Sequence, residues 1–486
     1  MKNHFEFVIV GAGFAGIGMA IKLKEAGFHD FRILERDDHL GGTWYANHYL
    51  GAACDVQSHL YSYSFEQNPN WSRTFGPQQE ILQYMEHCAQ KYGINPHFEF
   101  NTCVNGAAFN EQTGEWTLQT SKGDYKCRYF ISCSGGLSQP ALPDIKGKET
   151  FKGNTFHSAK WNHEVSLKGK TVAVIGTGAS AIQIVPAIAP EVKQLHLYQR
   201  TPPWILPKPD RPMHEWEKKL FNAVPAFMHL YRGLLYWRNE LFATGFIKNP
   251  AIMNLARKMA LKHIEKSIAD KELRAKVTPA YTVGCKRVLL SNDYYKALNR
   301  NNVEVVTEGI EQITPTGVQS QAGNLREADV LIYATGFNAA EGVVMYDIKG
   351  RNSTDLNEAW KDGAEAYLGT SISGFPNMFL IVGPNTGLGH SSMIIMIEAQ
   401  VHYIMEALKA VKAAKAKYID VKPEVQSSYN QTLQEKLSHT VWQTGGCHSW
   451  YQNKSGKNVT LWPGYTFTFA KATRLFEVEK HEMVRQ

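Results

Sequence analysis

Phe5-Glu6-Phe7-Val8-Ile9-Val10-Gly11-Ala12-Gly13-Phe14-Ala15-Gly16 opens the chain with a short apolar run that ends in a G-x-G-x-x-G turn. An apolar run of this length reads as a strand buried on both faces of a parallel sheet. The following residues, 17–26, continue in a helical pattern. Three glycines at this spacing permit a tight turn, close approach of backbone to a pyrophosphate, and close contact of helix with strand. The helix start then offers its unpaired N–H groups to the phosphates. A second strand, Phe31-Arg32-Ile33-Leu34, ends in Glu35, whose carboxylate can accept hydrogen bonds from both ribose hydroxyls. Gly11, Gly13, Gly16 and Glu35 therefore predict a dinucleotide site.

The same grammar returns further on. Residues 171–175 are a buried strand, followed by Gly176-Thr177-Gly178-Ala179-Ser180-Ala181, with Ala181 in place of the third glycine. At the offset where the first motif carries Glu35, the second carries Arg200, after the strand Leu195-His196-Leu197-Tyr198. A carboxylate suits a free 2′-hydroxyl, whereas a guanidinium can clamp a 2′-phosphate through paired charged hydrogen bonds. The first site reads as one for FAD and the second as one for NADP(H). Between the motifs, residues 107–109, 116–119 and 125–131 predict a β-meander, with turns at Thr113-Gly114 and Lys122-Gly123-Asp124.

The expected fold class is thus α/β, with two Rossmann-like dinucleotide-binding domains and a helical insertion. Residues 1–150 and 341–486 are expected to form the FAD domain, 151–212 and 280–340 the NADP domain, and 213–279 the insertion. Within the insertion, Phe227, Leu230, Tyr231, Leu234 and Leu235 lie on a helical stripe. A substrate channel and a membrane surface are alternatives for this aromatic-rich stretch; the expectation is a core-facing stripe.

Composition narrows the function classes. Of 486 residues, 43% are hydrophobic and 20% charged, as in ordinary globular proteins. Lys and Arg number 52 against 45 Asp and Glu, and the formal charge of +7 is spread without long basic runs, so a nucleic-acid partner is not expected. Seven scattered cysteines (Cys54, Cys88, Cys103, Cys127, Cys133, Cys285, Cys447) form no C-x-x-C pair and no Cys/His metal cluster. They read as reduced thiols in a cytoplasmic protein, with no metal site and no redox dithiol of the kind flavin disulfide reductases need. No apolar run is long enough to span a bilayer, and the first residues run straight into a strand without a signal peptide.

Between the two glycine motifs lies Phe151-Lys152-Gly153-Asn154-Thr155-Phe156-His157-Ser158-Ala159-Lys160-Trp161. Its F-x-G-x-x-x-H-x-x-x-W pattern resembles the fingerprint of type I Baeyer–Villiger monooxygenases. The likeness extends to Gly41-Gly42-Thr43-Trp44, to the loop 49–55 with Asp55, to Tyr61, to Gly284-Cys285-Lys286-Arg287, and to Gly445-Gly446-Cys447-His448-Ser449-Trp450-Tyr451. It covers residues 8–469, nearly the whole chain. Three positions depart from the family: Leu50 stands where proline is usual, Ala53 where arginine is common, and Asn162 where Pro or Asp usually follows the tryptophan.

The resemblance implies an NADPH- and O2-dependent oxidation of ketones to esters or lactones, through a C4a-peroxide of FAD. It assigns Arg287 as the catalytic cation, held by Asp55. Thr43, Trp44, Asp55 and Tyr61 would border the flavin. Thr177, Ser180, Gln183, Arg200, Thr201 and Lys286 would hold NADP, with Trp450 on a loop that closes over it. Phe151, Gly153, His157 and Trp161 would form a hinge that couples the domains, and His157 is expected to act in that coupling rather than as an acid–base. Two alternatives stay open: a flavin-dependent N- or S-monooxygenase, and an NADPH-binding redox sensor without turnover. Which ketone is oxidised and the oligomeric state lie outside what the sequence specifies.

Overall fold

The computed structural model describes residues 2–248, 250–338, 344–447 and 449–485; His448 of the last motif lies outside them. Two separate sheets carry the two glycine motifs. The first runs in the order Asp347–Lys349, Val104–Asn110, Glu115–Thr120, Gly123–Ser132, His4–Val10, Phe31–Leu34 and Phe98–Glu99, with Met378–Leu380 also paired to Gly123–Ser132. His4–Val10 is flanked in parallel by Gly123–Ser132 and Phe31–Leu34, so both its edges are paired, and its last four residues are buried. The predicted meander is present as antiparallel pairs between Val104–Asn110, Glu115–Thr120 and Gly123–Ser132.

The helix Phe14–Glu25 lies against the long helix Met393–Ala414, where Ile17, Ile21, Ile397, Val401 and Ile404 share one core. The long helix is started by Ser392, whose hydroxyl accepts from the Ile394 N–H at 3.3 Å, and is ended by Lys415 in the left-handed conformation at φ 49°.

The second sheet runs Val303–Val306, Gln194–Tyr198, Thr171–Ile175, Val330–Tyr333 and Asn154–His157, all in parallel. Part of the segment 151–161, read from sequence as a hinge, takes regular structure here. Asn154–His157 is the edge strand of this sheet, in register with Val330–Tyr333. Gly153 has no room for a side chain, because a Cβ would fall 2.3 Å from the Asp329 carbonyl oxygen. Trp161 is buried edge-on against Phe156, with ring centroids 5.1 Å apart. His157 is buried, and its Nδ1 accepts from the Ala159 N–H at 3.1 Å, capping the turn Ser158–Lys160.

Burial lowers the pKa of His157 to about 4, and that of His59 likewise to about 4, so both fold as neutral rings. Their unfolded-state pKa is near 6.5, so between these values the unfolded chain binds more protons. Stability should be complete above pH 6.5 and fall as pH drops toward 4, by ~1–2 kcal/mol per histidine at pH 5. Denaturant unfolding at pH 7 and pH 5 measures this. A His157→Gln variant should show a shallower slope; an unchanged slope would remove His157 from the effect.

The insertion is helical as expected, in the segments Glu215–Ala223, Pro225–Ile247, Met253–Ser267 and Lys271–Val277. The facing of its central helix is corrected. Leu235 is buried and Tyr231 half-buried, but Phe227, Leu230 and Leu234 are exposed, and the inward face is made by Met228, Leu235, Asn239, Ala243 and Phe246. Periodicity reveals that a face is apolar; it carries no information about what lies opposite.

Candidate active site

The two glycine motifs occupy equivalent places. Gly11 and Gly176 each follow an interior strand of a sheet, with φ of 108° and 113°. A Cβ on Gly11 would sit 2.6 Å from the carbonyl oxygen of Cys133, and one on Gly176 2.3 Å from that of Ala334. Both obstructing carbonyls come from the residue just past a neighbouring strand, so each turn is squeezed where strand order reverses, the crevice in which such sheets bind ligands. A Cβ on Gly16 would lie 1.9 Å from the Gly11 oxygen, so the third glycine holds the helix close to the turn. Ala181 at the corresponding place of the second site is fully buried.

Neither helix has a side chain capping its first turn, at Gly13 or at Ser180. At Gly13 this leaves first-turn amides available for a phosphate group, whereas at the second turn the Ile182 and Gln183 N–H groups donate to the carbonyls of Gly178 and Ser180, each at 3.1 Å. Gly178 has open space where a Cβ would be. Glu35 is buried at the end of its strand; one carboxylate oxygen accepts from the Ala12 N–H at 2.7 Å, the other from the Asp37 N–H at 3.1 Å. Burial raises its pKa, and these two N–H groups work against that rise.

In the second site Thr177 donates to the Thr201 carbonyl at 2.9 Å, tying the turn to the segment that carries Arg200. Arg200 is exposed, and its charge, after burial, lowers the pKa of Lys286. Two cations from distant parts of the chain thus share a neighbourhood, and neither forms an ion pair among the described residues. Such a pair suits a doubly charged phosphate. Gln183, expected beside the phosphates, has protein partners for its side-chain amide. Its amide accepts from the Tyr49 hydroxyl at 2.8 Å and donates to the Ala53 carbonyl at 2.9 Å. Gly51 comes so near this helix that a Cβ would lie 2.7 Å from the Gln183 carbonyl oxygen. Gln183 therefore joins the second nucleotide helix to the loop that carries Asp55.

Asp55 meets Arg287 in a two-pronged ion pair, Nε to Oδ2 and Nη2 to Oδ1, each 2.8 Å. Nη1 also donates to the Leu388 carbonyl at 3.4 Å. The Asp55 charge raises the arginine pKa further while burial opposes it, so the guanidinium stays charged. The side chains are 27% and 28% exposed, so water reaches the pair and screens part of its attraction. Parallel pairing of Ile205–Leu206 with Leu289–Leu290 holds the Arg287 segment in place. Trp44 donates to the Tyr61 hydroxyl at 3.1 Å, and Tyr61 stands edge-on to Phe14. Thr43 begins the short helix Thr43–Ala46, whose preceding Gly42 passes within Cβ distance, 3.8 Å, of Gly13.

Three residues near this site were given no role by the sequence reading. Lys208 donates to the Cys54 carbonyl at 3.1 Å, and burial lowers its pKa. Tyr451 is buried next to Arg287; burial pushes its hydroxyl up to about 12 while Arg287 pulls the other way. His390 is buried two residues beyond Leu388, with Nε2 3.5 Å from Glu240. Only Tyr451 left a signal, as the neighbour of Trp450; the Trp450 ring is 4.4 Å from it and 43% exposed.

The expectation of reduced thiols is corrected at one pair. Cys285 and Cys447 form a disulfide across 162 residues, and the other five cysteines are free. A Cβ on Gly445 would lie 2.6 Å from that of Cys285, so a glycine is needed for the two segments to meet. The bond fastens the Trp450 loop beside Lys286 and Arg287, and its sequence separation hid it from any spacing rule. Closing so long a loop restricts the unfolded chain, and a Cys285→Ser variant should lose about 2–4 kcal/mol of unfolding free energy. Denaturant titration with and without reductant checks this: reductant should lower the midpoint of the native protein and leave the variant's unchanged.

The pyridine nucleotide-disulphide oxidoreductase family model matches residues 8–218. A Baeyer–Villiger monooxygenase of Pseudomonas aeruginosa is 48% identical over 99% of this chain and 92% of its own length. One from Streptomyces coelicolor is 42% identical over 100% of this chain and 94% of its own. Among solved structures, cyclohexanone monooxygenase from Rhodococcus sp. Phi1 bound to NADP+ superposes with a TM-score of 0.90 at 29% identity, covering all of both chains. A complex of OTEMO with FAD and NADP gives 0.89 at 26% identity, also over both whole chains. With its two nucleotide crevices, its Arg287–Asp55 pair and relatives this similar along their length, the chain belongs to the Baeyer–Villiger monooxygenase family.

Proposed function

We propose that this protein uses NADPH and O2 to oxidise ketones to esters or lactones, with FAD as its resident cofactor. The single observation that carries the reading is the two-pronged Arg287–Asp55 pair, which brings a permanent cation from beyond the insertion to the loop following the first nucleotide turn. The residues fit both cofactors. Gly11, Gly13 and Gly16 leave a cradle that side chains would fill, with Glu35 at the ribose position. The open Gly178 turn and the unpaired Arg200 and Lys286 suit a dinucleotide with a 2′-phosphate.

When bound, FAD supplies the transfer of one oxygen atom from O2, with NADPH as the source of electrons. The chain's own groups bind and stabilise. Arg287 supplies positive charge where negative charge gathers on the transferred oxygen, and it cannot lose its proton in a partly dry site. Asp55 orients that guanidinium and balances its charge in the resting protein. Arg200 and Lys286 select the phosphorylated nucleotide. Trp44 and Tyr61, locked by their mutual hydrogen bond, would border the first cofactor, and Trp450, with its ring beside that of Tyr451, would close over the second.

The two sheets, each with its own core, support assigning residues 1–150 and 341–486 to FAD, 151–212 and 280–340 to NADP, and 213–279 to the insertion. A cytoplasmic setting belongs to this reading because NADPH is supplied there, not because of the cysteines. The test is direct: the FAD-loaded protein should consume NADPH in air, and a ketone should raise the rate. Protein that does not take up FAD, or that leaves NADPH untouched with every ketone of a linear, cyclic and aryl panel, would overturn the proposal.

A further inference from the structure

The insertion helix Pro225–Ile247 carries an apolar face that no described residue covers. Phe227, Leu230, Leu234, Trp237 and Leu241 are between 48% and 72% exposed. Their spacing of three and four residues places them on one side, about 21 Å long at the usual helical rise. At one end the face opens into a groove of about 230 Å³ lined by Trp216, Leu220, Phe227, Leu230 and Leu234 among others. At the other end Trp237 meets the exposed Phe467 of helix Thr466–Ala472, ring centroids 6.0 Å apart. A continuous exposed apolar band of this kind marks a surface with a partner rather than ordinary scatter.

Among the described residues, the charges bordering the band that lack an ion pair are of one sign. Arg238 and Lys248 on the helix, and Lys471 and Arg474 beside Phe467, are exposed, and none forms an ion pair among the described residues. Glu240, the one acid of Pro225–Ile247, is buried on the opposite face and accepts from the Thr466 hydroxyl at 2.6 Å and its N–H at 3.0 Å. Near the groove, Glu217 is bonded to Arg211 and Glu215 to Lys218. A second copy docked on this face would bring Arg238 and Lys248 toward cations with no acid on the band to balance them. An anionic surface balances them all.

We propose that this face docks on the surface of an anionic lipid bilayer. The helix lies in the plane of the interface, with its leucines and aromatic rings below the headgroups and its basic residues at the phosphates. This is attachment without spanning; no helix among the described residues is long and apolar enough to cross a membrane.

Sedimentation of the FAD-loaded full chain with vesicles tests it, using phosphatidylcholine alone or mixed with phosphatidylglycerol at low salt. The bound fraction should be about ten-fold or more higher on the mixed vesicles and fall with added salt. Leu234→Asp with Leu241→Asp should abolish binding, and Arg238→Glu with Lys248→Glu should abolish the preference for the anionic lipid. Both variants keep the fold and the NADPH oxidation rate, because every substituted side chain points to solvent. Failure of the native chain to bind mixed vesicles, or binding that survives the aspartate pair, would overturn the proposal. So would a concentration-dependent dimer that the aspartate pair dissociates, which would give the face to a second copy. None of these outcomes depends on whether ketones are substrates.

Discussion

Arg287→Ala should still let NADPH bleach the yellow colour of the FAD-loaded protein, yet form ester at a rate lower by about 10²–10³-fold or more. The magnitude follows from removing the one cation that the site holds in place with a matched carboxylate. Each guanidinium–carboxylate bond is 2.8 Å long, and the geometry is set by strand pairing on the Arg287 side and by the Gln183 contacts on the Asp55 side. Loss of the arginine also leaves the part-buried Asp55 without its ion-pair partner and with only the nearby Lys208 charge, so some stability is lost as well. Stability and chemistry are separated by two readouts. Reduction by NADPH reports an intact fold and intact nucleotide sites; ester yield reports the cation. Arg287→Lys keeps the charge but loses the fork, and should recover only part of the ester yield. Normal ester yield from Arg287→Ala would take the residue out of the mechanism.

Arg200→Ala should raise the apparent KM for NADPH by about 10–100-fold while changing that for NADH little, the loss of one charge-assisted interaction of ~1.5–3 kcal/mol. Lys286→Ala should act in the same direction. The two effects should fall short of additive when combined, because both cations address one phosphate and already feel each other's charge. Equal loss with NADPH and NADH would show that the residues support the turn rather than recognise the phosphate. The disulfide makes Lys286 informative in another way. Cys285 is its neighbour, so the position of the lysine depends on a bond to the Trp450 loop.

Much of this could be read from short segments because the chemistry there is local. A tight turn beside a parallel strand needs glycine wherever it occurs, and the Cys133 and Ala334 carbonyls that enforce this follow the strands next door. The choice between Glu35 and Arg200 at equal offset separates the two nucleotides for the same reason. What escaped was nonlocal. Cys285 and Cys447 are far apart in the chain, and only the meeting of Gly445 with Cys285 shows why they pair. Asn154–His157 looked like a linker because its partner, Val330–Tyr333, comes much later. The stripe at Phe227, Leu230 and Leu234 was legible as a helix face, but its direction is decided by Glu240 and Asn239, which bond inward to Thr466 and Gln57. Lys208 and His390 carry no motif; only their burial beside Cys54 and Leu388 reveals them. Gln183 matched a phosphate-loop position in sequence, and the contacts of its amide with Tyr49 and Ala53 could not be read there.

The most direct test of the central claim is product analysis under oxygen-18 gas, with FAD-loaded protein, NADPH and a ketone of the responding class. The expected product is an ester or lactone that carries one heavy oxygen at the bridging position, formed in proportion to the NADPH consumed. Unlabelled ketone recovered intact while NADPH is spent, or label found in no ester, would contradict it.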